Sequence, residues 1–367
     1  MHYWLITRRG GEKVIESILK LYPNADIYTL FLDRNIYGRN LTNNTIISSV
    51  LDNSFLRKNY QKLFPLYPMG IKSLVLKDNY DLIISSESGP AKGIKIKGGT
   101  PHVCYVHSPM RYCWGFTHEY LNSMPKILRP IAKCFFERLR RWDVTTIDNV
   151  SSYLVNSNNV AKRVKKFYGK DSKVIYPPIE LSLFDRPLVT NKNRNIYLSF
   201  GAITPYKRID LLVEVFNKNG KDLVVIGNGS EKEKLASTSN SNIKFLGSLE
   251  WNEIEKYLDR TKALIFPGEE DFGMIPLEVM AYGIPVLAFK QGGALETVVE
   301  NDSISNSSGI FFDEQTPQSI QNCINRFELE EYNFDPTWIR GHAREFGEDR
   351  FLEKFSSHVN DLVKRQD

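Results

Sequence analysis

Two glutamates eight positions apart carry the strongest chemical signal in the chain. Glu270 and Glu278 lie in the stretch Gly268-Glu269-Glu270-Asp271-Phe272-Gly273-Met274-Ile275-Pro276-Leu277-Glu278, directly after the strand-like run Ala263 to Phe266. Pro276 is a favoured first-turn residue and Gly283 a natural stop, so Glu270 reads as a loop residue and Glu278 as part of a first helical turn. A helix start offers free N–H groups and a partial positive charge to phosphate or sugar oxygens. One carboxylate can then reach a reacting sugar while the other reaches a ribose diol. A second reading stays open at this point: Glu278 can simply complement the helix macrodipole.

Two further loops share that setting, each following a strand and opening a helix. Phe200-Gly201-Ala202-Ile203-Thr204-Pro205-Tyr206-Lys207-Arg208 combines a glycine turn with two adjacent cations. Such a pair suits a diphosphate, whose growing charge is the main electrostatic task when it leaves; the alternative is a pair of solvated helix-start charges. Lys290-Gln291-Gly292-Gly293-Ala294-Leu295-Glu296-Thr297 carries paired glycines, which let backbone approach a ligand closely. Gly10-Gly11 and Gly227-Asn228-Gly229 are similar but weaker signals, the latter readable as a turn.

The elements that must position these loops are strands and helices in alternation. Strand-like runs occur at His2 to Thr7, Ala25 to Leu30, Asp81 to Ile84 and His102 to Val106 in the first half. In the second half they occur at Ile196 to Phe200, Leu223 to Ile226, Ile243 to Leu246, Ala263 to Phe266, Val286 to Phe289 and Gly309 to Phe312. Helical patterns separate them, which predicts parallel sheets covered by helices. Tyr176-Pro177-Pro178 suits neither a helix nor a central strand and divides the halves. The expected organisation is residues 1–178, residues 179–345, and a last helix over 346–367 packing back on the first domain. Two doubly wound domains facing a central cleft would present their strand ends, and hence these loops, to a ligand.

Composition narrows the class. The chain has 367 residues, 25% charged and 42% hydrophobic, with a net charge of +5. That is ordinary two-domain globular chemistry, without the basic density of a nucleic-acid binder. The cysteines Cys104, Cys113, Cys134 and Cys323 are scattered, fitting reduced thiols in a cytoplasm. No stretch approaches the ~20 apolar residues of a membrane span, and no signal-peptide pattern opens the chain. No Asp-x-Asp occurs and the histidines show no ligand spacing, so no metal or other cofactor is expected.

The block GEEDFGMIPLEVMAYGIPVLAF followed by GGALETV resembles the retaining glycosyltransferases of family 4, which have the GT-B fold. The resemblance continues through YKRIDLLVEVFN, LVVIGNGSEKEKL, RRGGEKVIESILKLYPNADIYTLF and YVHSPMRYCWG, nearly the whole chain. The GGE entry and the His-Ser-Pro-Met-Arg-Tyr block are most similar to the mannosyltransferases of O-antigen and related surface polysaccharides. The resemblance implies a nucleotide-diphosphate sugar as donor, specifically GDP-mannose, and a glycan or polyprenyl-diphosphate-linked acceptor.

Roles follow from the same resemblance. Lys207 contacts the donor diphosphate, with Arg208 beside it. Glu270 sits by the transferred sugar, and the Phe272-Gly273-Met274 backbone holds its hydroxyls. Glu278 binds the ribose, Gly10 and Gly11 approach the diphosphate from the first domain, and His107 is the active-site histidine. One departure stands out: the family commonly has an arginine where this chain has Ala202. Arg208 or Arg111 would have to supply the missing cation. Retention is expected by front-face attack, with Glu270 stabilising rather than forming a covalent intermediate.

The acceptor side is written in Met124 to Asp143. Six cations (Lys126, Arg129, Lys133, Arg138, Arg140, Arg141) interleave with Ile127, Leu128, Ile131, Phe135, Phe136 and Leu139. This suits the anionic inner face of a cell membrane; an ordinary amphipathic helix with its apolar side in the core fits equally. Other readings of the whole chain are a transferase using UDP-sugars, a nucleotide-sugar 2-epimerase and a non-catalytic sugar-nucleotide-binding subunit. A dinucleotide oxidoreductase is disfavoured, because no full Gly-x-Gly-x-x-Gly follows the first strand of either half.

Overall fold

The computed structural model describes residues 1–8, 10–37, 41, 44–77, 80–122, 124–188 and 194–364. It divides into two compact units, Met1–Pro178 with Asp349–Asp367, and Ile179–Glu348. Both are parallel α/β units of the Rossmann type.

In the first unit, β1 (Ile27–Thr29) pairs with β2 (Ile46–Ser48), and β3 (Ile83–Glu87), β4 (His102–Val106), β5 (Ser152–Val155) and β6 (Lys173–Val174) form a sheet in that order. Every one of these pairings is parallel. The opening segment is not the regular strand its composition suggests. It makes isolated bridges, His2 to Thr29 and Ser86 and Leu5 to Leu32, and so runs between β1 and β3. All five residues of β4 are buried, which is why its sequence is continuously apolar apart from His102.

The C-terminal helix Glu348–Val363 belongs to this unit. Phe351, Phe355 and Val359 recur every four residues and pack with Val14, Ile18, Val103, Tyr105 and Leu154. Burying each phenylalanine contributes roughly 1.5–3 kcal/mol, so the chain's last turns secure the face of the sheet that carries β4.

The second unit is one six-stranded parallel sheet. Its strands are β7 (Ile196–Phe200), β8 (Leu223–Ile226), β9 (Ile243–Gly247), β10 (Thr261–Phe266), β11 (Val286–Phe289) and β12 (Gly309–Phe312). The spatial order is β12-β11-β10-β7-β8-β9. The chain therefore winds outward twice from the middle, and β7 and β10 meet at the topological switch point, where open sheets of this type bind ligands. All six expected strands are present within a residue or two.

Candidate active site

At the switch point the loops after β7 and β10 lie side by side. Gly268 is what permits it: a Cβ there would come 2.9 Å from Lys207 Cα and 3.0 Å from the Tyr206 carbonyl oxygen. The contact brings Lys207 against Glu270, and Nζ forms an ion pair with the carboxylate. Their side chains are only 12% and 16% exposed, so the pair is largely withdrawn from water. The ammonium also lies 5.6 Å from the ring centres of Tyr206 and Phe266. A shallow recess opens beside it, lined by Gly201, Ala202, Ile203, Lys207, Phe266 and Gly268 among others. Of its lining residues, Lys207 alone is charged.

The neighbouring cation goes elsewhere. Arg208 adopts φ 55°, ψ 35°, a left-handed conformation uncommon for a residue with a Cβ. Its guanidinium pairs with Asp210 in the first turn of the next helix, Nε to Oδ1 at 3.1 Å. Lys207 thus joins Glu270 while Arg208 is held by its own helix start.

The acidic loop is shaped by glycines from the third loop. A Cβ on Gly292 would collide with the Glu270 carbonyl oxygen, and one on Gly293 with the Phe272 backbone. Gly293 N–H instead donates to the Glu270 carbonyl at 2.8 Å. The paired glycines therefore admit the neighbouring acidic loop. Likewise Gly227 and Gly229 press onto the Gly201 and Ile203 backbones, where a side chain would clash. The helix runs Met274–Met280, starting earlier than Pro276, with Gly273 at φ 84° before it. Glu278 is buried in that helix, and Phe272 is buried against Phe346.

The first unit assembles its own cluster at the end of β4. His107 N–H donates to the Glu87 carbonyl at 2.8 Å, and its own carbonyl accepts from Asn156 Nδ2 at 3.0 Å. Its Nε2 lies 2.7 Å from Ser86 Oγ. Loss of solvent around the ring pushes the imidazole pKa down to about 4, so it is neutral near pH 7. The helix Gly10–Leu21 begins beside it, and a Cβ on Gly11 would stand 3.2 Å from the Tyr3 hydroxyl and 3.5 Å from His107 Nε2. Gly10, Gly11 and His107 are thus one neighbourhood. Arg111 follows on the next loop, its guanidinium 5.5 Å from the Phe116 ring.

Behind His107 sits a charge cluster that sequence reading missed. Lys92 is fully buried and pairs with both Glu87 and Asp143, the Glu87 contact being 3.1 Å. Trp114 Nε1 donates to Asp143 at 2.8 Å, and the Lys92 ammonium lies 4.7 Å from the Tyr168 ring centre. Burial alone would depress the Lys92 pKa, but the Asp143 and Glu87 carboxylates outweigh it and hold the ammonium charged. A signal was available: Ala132, Phe136, Leu139 and Asp143 share the inward stripe of one helix. A carboxylate on an apolar stripe demands a buried cation.

That helix, Arg129–Thr145, also sorts the acceptor-side residues. Arg129 is spent on the Met124 and Asn122 carbonyls and Arg140 on the Cys113 carbonyl, so neither is an outward cation. Lys126, Lys133, Arg138 and Arg141 are exposed. So are Ile127 (82%), Leu128 (49%), Ile131 (58%) and Phe135 (40%), whereas only Phe136 and Leu139 of the expected apolar set turn inward. Among the described residues no helix is long and apolar enough to cross a membrane, and no three His, Cys, Asp or Glu side chains converge as a metal set.

Known proteins resemble this chain in sequence and fold. The family model for glycosyl transferases group 1 matches residues 183–343, and that for Glycosyltransferase Family 4 matches residues 9–183. The alpha-1,3/1,6-mannosyltransferase ALG2 of Saccharomyces cerevisiae is 28% identical over 57% of this chain, spanning about half (52%) of its own length. An uncharacterized glycosyltransferase of Methanocaldococcus jannaschii is 24% identical over 86% of this chain and 84% of its own. Among solved structures, Anabaena HepE in complex with UDP superposes with a TM-score of 0.71 at 17% identity, covering 98% of this chain and 99% of that one. Sucrose-phosphate synthase from Thermosynechococcus elongatus gives 0.72 at 17% identity with both chains fully covered. With two family models spanning residues 9–343 between them and the GT-B fold matched end to end, the chain belongs to the family 4 glycosyltransferases.

Proposed function

We propose that this glycosyltransferase moves a mannosyl group from GDP-mannose, with retention, to a glycan or polyprenyl-diphosphate-linked acceptor of surface polysaccharide synthesis. The observation that carries the donor assignment is the Lys207–Glu270 pair beside the recess at the β7/β10 switch point. A cation and a carboxylate in contact, largely dry, match a leaving diphosphate and the sugar attached to it. Lys207 would take the charge that grows on the diphosphate, and Glu270 would orient the sugar and stabilise its positive character. Glu278 would hydrogen-bond the ribose, and the Phe272-Gly273-Met274 backbone the sugar hydroxyls. His107, neutral and lodged beside Gly11, would hydrogen-bond the sugar.

The mannosyl reading is supported by the likeness to the yeast alpha-1,3/1,6-mannosyltransferase. A UDP-sugar donor is the second reading, favoured by the likeness to HepE in its UDP complex. No metal is assigned a role; Lys207, the charged residue lining the recess, would meet the diphosphate charge. The exposed apolar and basic side chains of residues 126–141 support peripheral docking on an anionic membrane, where a polyprenyl-linked acceptor resides.

The test is a panel of nucleotide sugars incubated with the pure protein, with and without EDTA, following nucleoside diphosphate release. GDP-mannose should be turned over in both conditions. Turnover of UDP-sugars alone would replace the donor assignment, and loss in EDTA restored by magnesium or manganese would overturn the metal-free mechanism.

A further inference from the structure

Ser86 stands between two histidines, and the hydrogen bonds it makes can be assigned from their chemistry. His2 Nδ1 lies 3.2 Å from the Ser86 backbone carbonyl oxygen and 3.2 Å from Ser86 Oγ. A carbonyl only accepts, so this nitrogen carries a hydrogen. The same N–H is shared with Ser86 Oγ, and the acceptor left among the described contacts for the hydroxyl's own proton is the other neighbour of that oxygen. That neighbour is His107 Nε2, at 2.7 Å. A ring nitrogen that accepts is unprotonated, and a neutral imidazole then bears its hydrogen on Nδ1.

The surroundings keep this order fixed. His2 and Ser86 are fully buried, so water does not compete for the hydroxyl. His2 bridges β1 and β3 through Thr29 and Ser86, which ties the first donor to the sheet. His2 Nε2 is buried without a partner among the described residues, as befits the nitrogen left without hydrogen. Both rings are held neutral: removal from water lowers the pKa of His107 to about 4 and that of His2 well below its ordinary value. No described residue is within hydrogen-bonding reach of His107 Nδ1.

We propose that Ser86, seated by His2, is a positioning residue that locks His107 in its Nδ1–H tautomer and so makes it a hydrogen-bond donor. The group it would meet is an acceptor oxygen on the nucleotide sugar, a hydroxyl lone pair or a phosphoryl oxygen, rather than a proton awaiting removal. This rests on the reading of His107 as a sugar-side residue, and it adds a direction: His107 donates and is not the general base. It also explains why Ser86 follows Ser85 at the end of β3. Ser85 Oγ meets His102 Nε2 at 2.8 Å on the other side of the strand, and Ser86 repeats the contact one residue later for His107.

The experiment is NMR of the protein labelled with ¹⁵N,¹³C-histidine, the His107 signals being identified by their loss in His107→Gln. In the wild type, His107 should show a protonated Nδ1 and an unprotonated Nε2, the reverse of the tautomer favoured by free histidine. Ser86→Ala should return it to the Nε2–H form, and Ser86→Thr, which keeps the hydroxyl, should not. Turnover of the nucleotide sugar singled out by the panel should fall about tenfold to a hundredfold in Ser86→Ala with little change in KM, and recover in Ser86→Thr. An Nε2–H tautomer in the wild type overturns the proposal without need of any variant. So does a Ser86→Ala tautomer identical to the wild type. If the tautomer switches while turnover is unchanged, the positioning role fails, and the donor site of the second unit is untouched by that result.

Discussion

The Lys207–Glu270 contact makes a prediction with opposite signs for binding and turnover. In the protein without donor the two charges neutralise each other, so a diphosphate entering the recess finds a cation already engaged. Glu270→Gln removes a carboxylate that also repels the phosphates. At a separation of about 6 Å and an effective dielectric of about 20, one unit of like charge is worth roughly 3 kcal/mol. With both side chains partly exposed, 12% and 16%, and salt present, about 1 kcal/mol is a realistic remainder, or five- to tenfold. Glu270→Gln should therefore bind nucleoside diphosphate five- to tenfold more tightly by calorimetry while releasing it from the sugar donor at least 100-fold more slowly. Lys207→Met should do the reverse: weaker diphosphate binding and a turnover loss of about 100- to 1,000-fold, the cost of one preorganised electrostatic group. It also leaves Glu270 without its partner. Breaking a buried pair costs about 3–5 kcal/mol, and the residual exposure lowers that to about 2, so melting should drop by roughly 4–8 °C. The double variant Lys207→Met/Glu270→Gln should regain most of that stability and none of the activity. A folded Lys207→Met protein that turns over donor at the wild-type rate would refute the reasoning and place the diphosphate elsewhere.

Other outcomes follow from single groups. Glu278→Ala should weaken nucleotide binding by ~1.5–3 kcal/mol, a charge-assisted hydrogen bond, with turnover at saturation nearly kept; a loss of turnover with binding intact would refute its ribose role. Ala202→Arg, which points a cation at the recess, should tighten diphosphate binding in isothermal titration; no gain would mean the space is filled or the phosphates lie apart from it. Ile131→Asp/Phe135→Asp should abolish sedimentation with vesicles containing anionic lipid and leave hydrolysis of soluble donor intact. His102 is fully buried and its pKa lies at about 4, pushed down first by burial. The unfolded chain thus binds more protons between pH 6.5 and 4, and stability is lost as pH falls through that window. From pH 7 to pH 5 this amounts to about 2 kcal/mol, so His102→Gln should narrow its stability gap to the wild type by that much; a constant gap would show His102 titrating normally.

The second unit was legible because its strands are short, apolar on both faces and separated by helices of clear period, as parallel sheets require. The Lys207–Glu270 contact was not, since nothing local in either loop says that Gly268 will bring them together. The first unit was harder. Its opening residues look like a strand but form isolated bridges, at His2 and Leu5, rather than a continuous ladder. Residues 124–143 show the limit most clearly: interleaved charge and apolar residues gave the composition of a surface helix, but not which cations were free. Arg129 and Arg140 reach back to carbonyls 5 to 27 positions away, and only three dimensions reveal that. Nothing local to Lys92 marks it as buried; Asp143 on the inward stripe of its helix is the feature that demands a buried cation.

The missing arginine at Ala202 and the strained Arg208 belong to one account. A residue with a Cβ in the left-handed region costs of order 1–3 kcal/mol and persists only where its surroundings over-determine it. Here the strain falls between two adjacent cations and separates them. Lys207 closes a short turn, Pro205–Lys207, and joins Glu270; the reversal of φ at Arg208 starts the helix Ile209–Asn219 and delivers the guanidinium to Asp210. The helix that begins at Ile209 buries Leu211, Leu212 and Val215. Arg208 thus holds the left-handed position at the helix start and pairs with Asp210 across an exposed surface. With alanine at 202, the charge lining the recess comes down to Lys207, whose partner Glu270 sets how much of it a diphosphate can use.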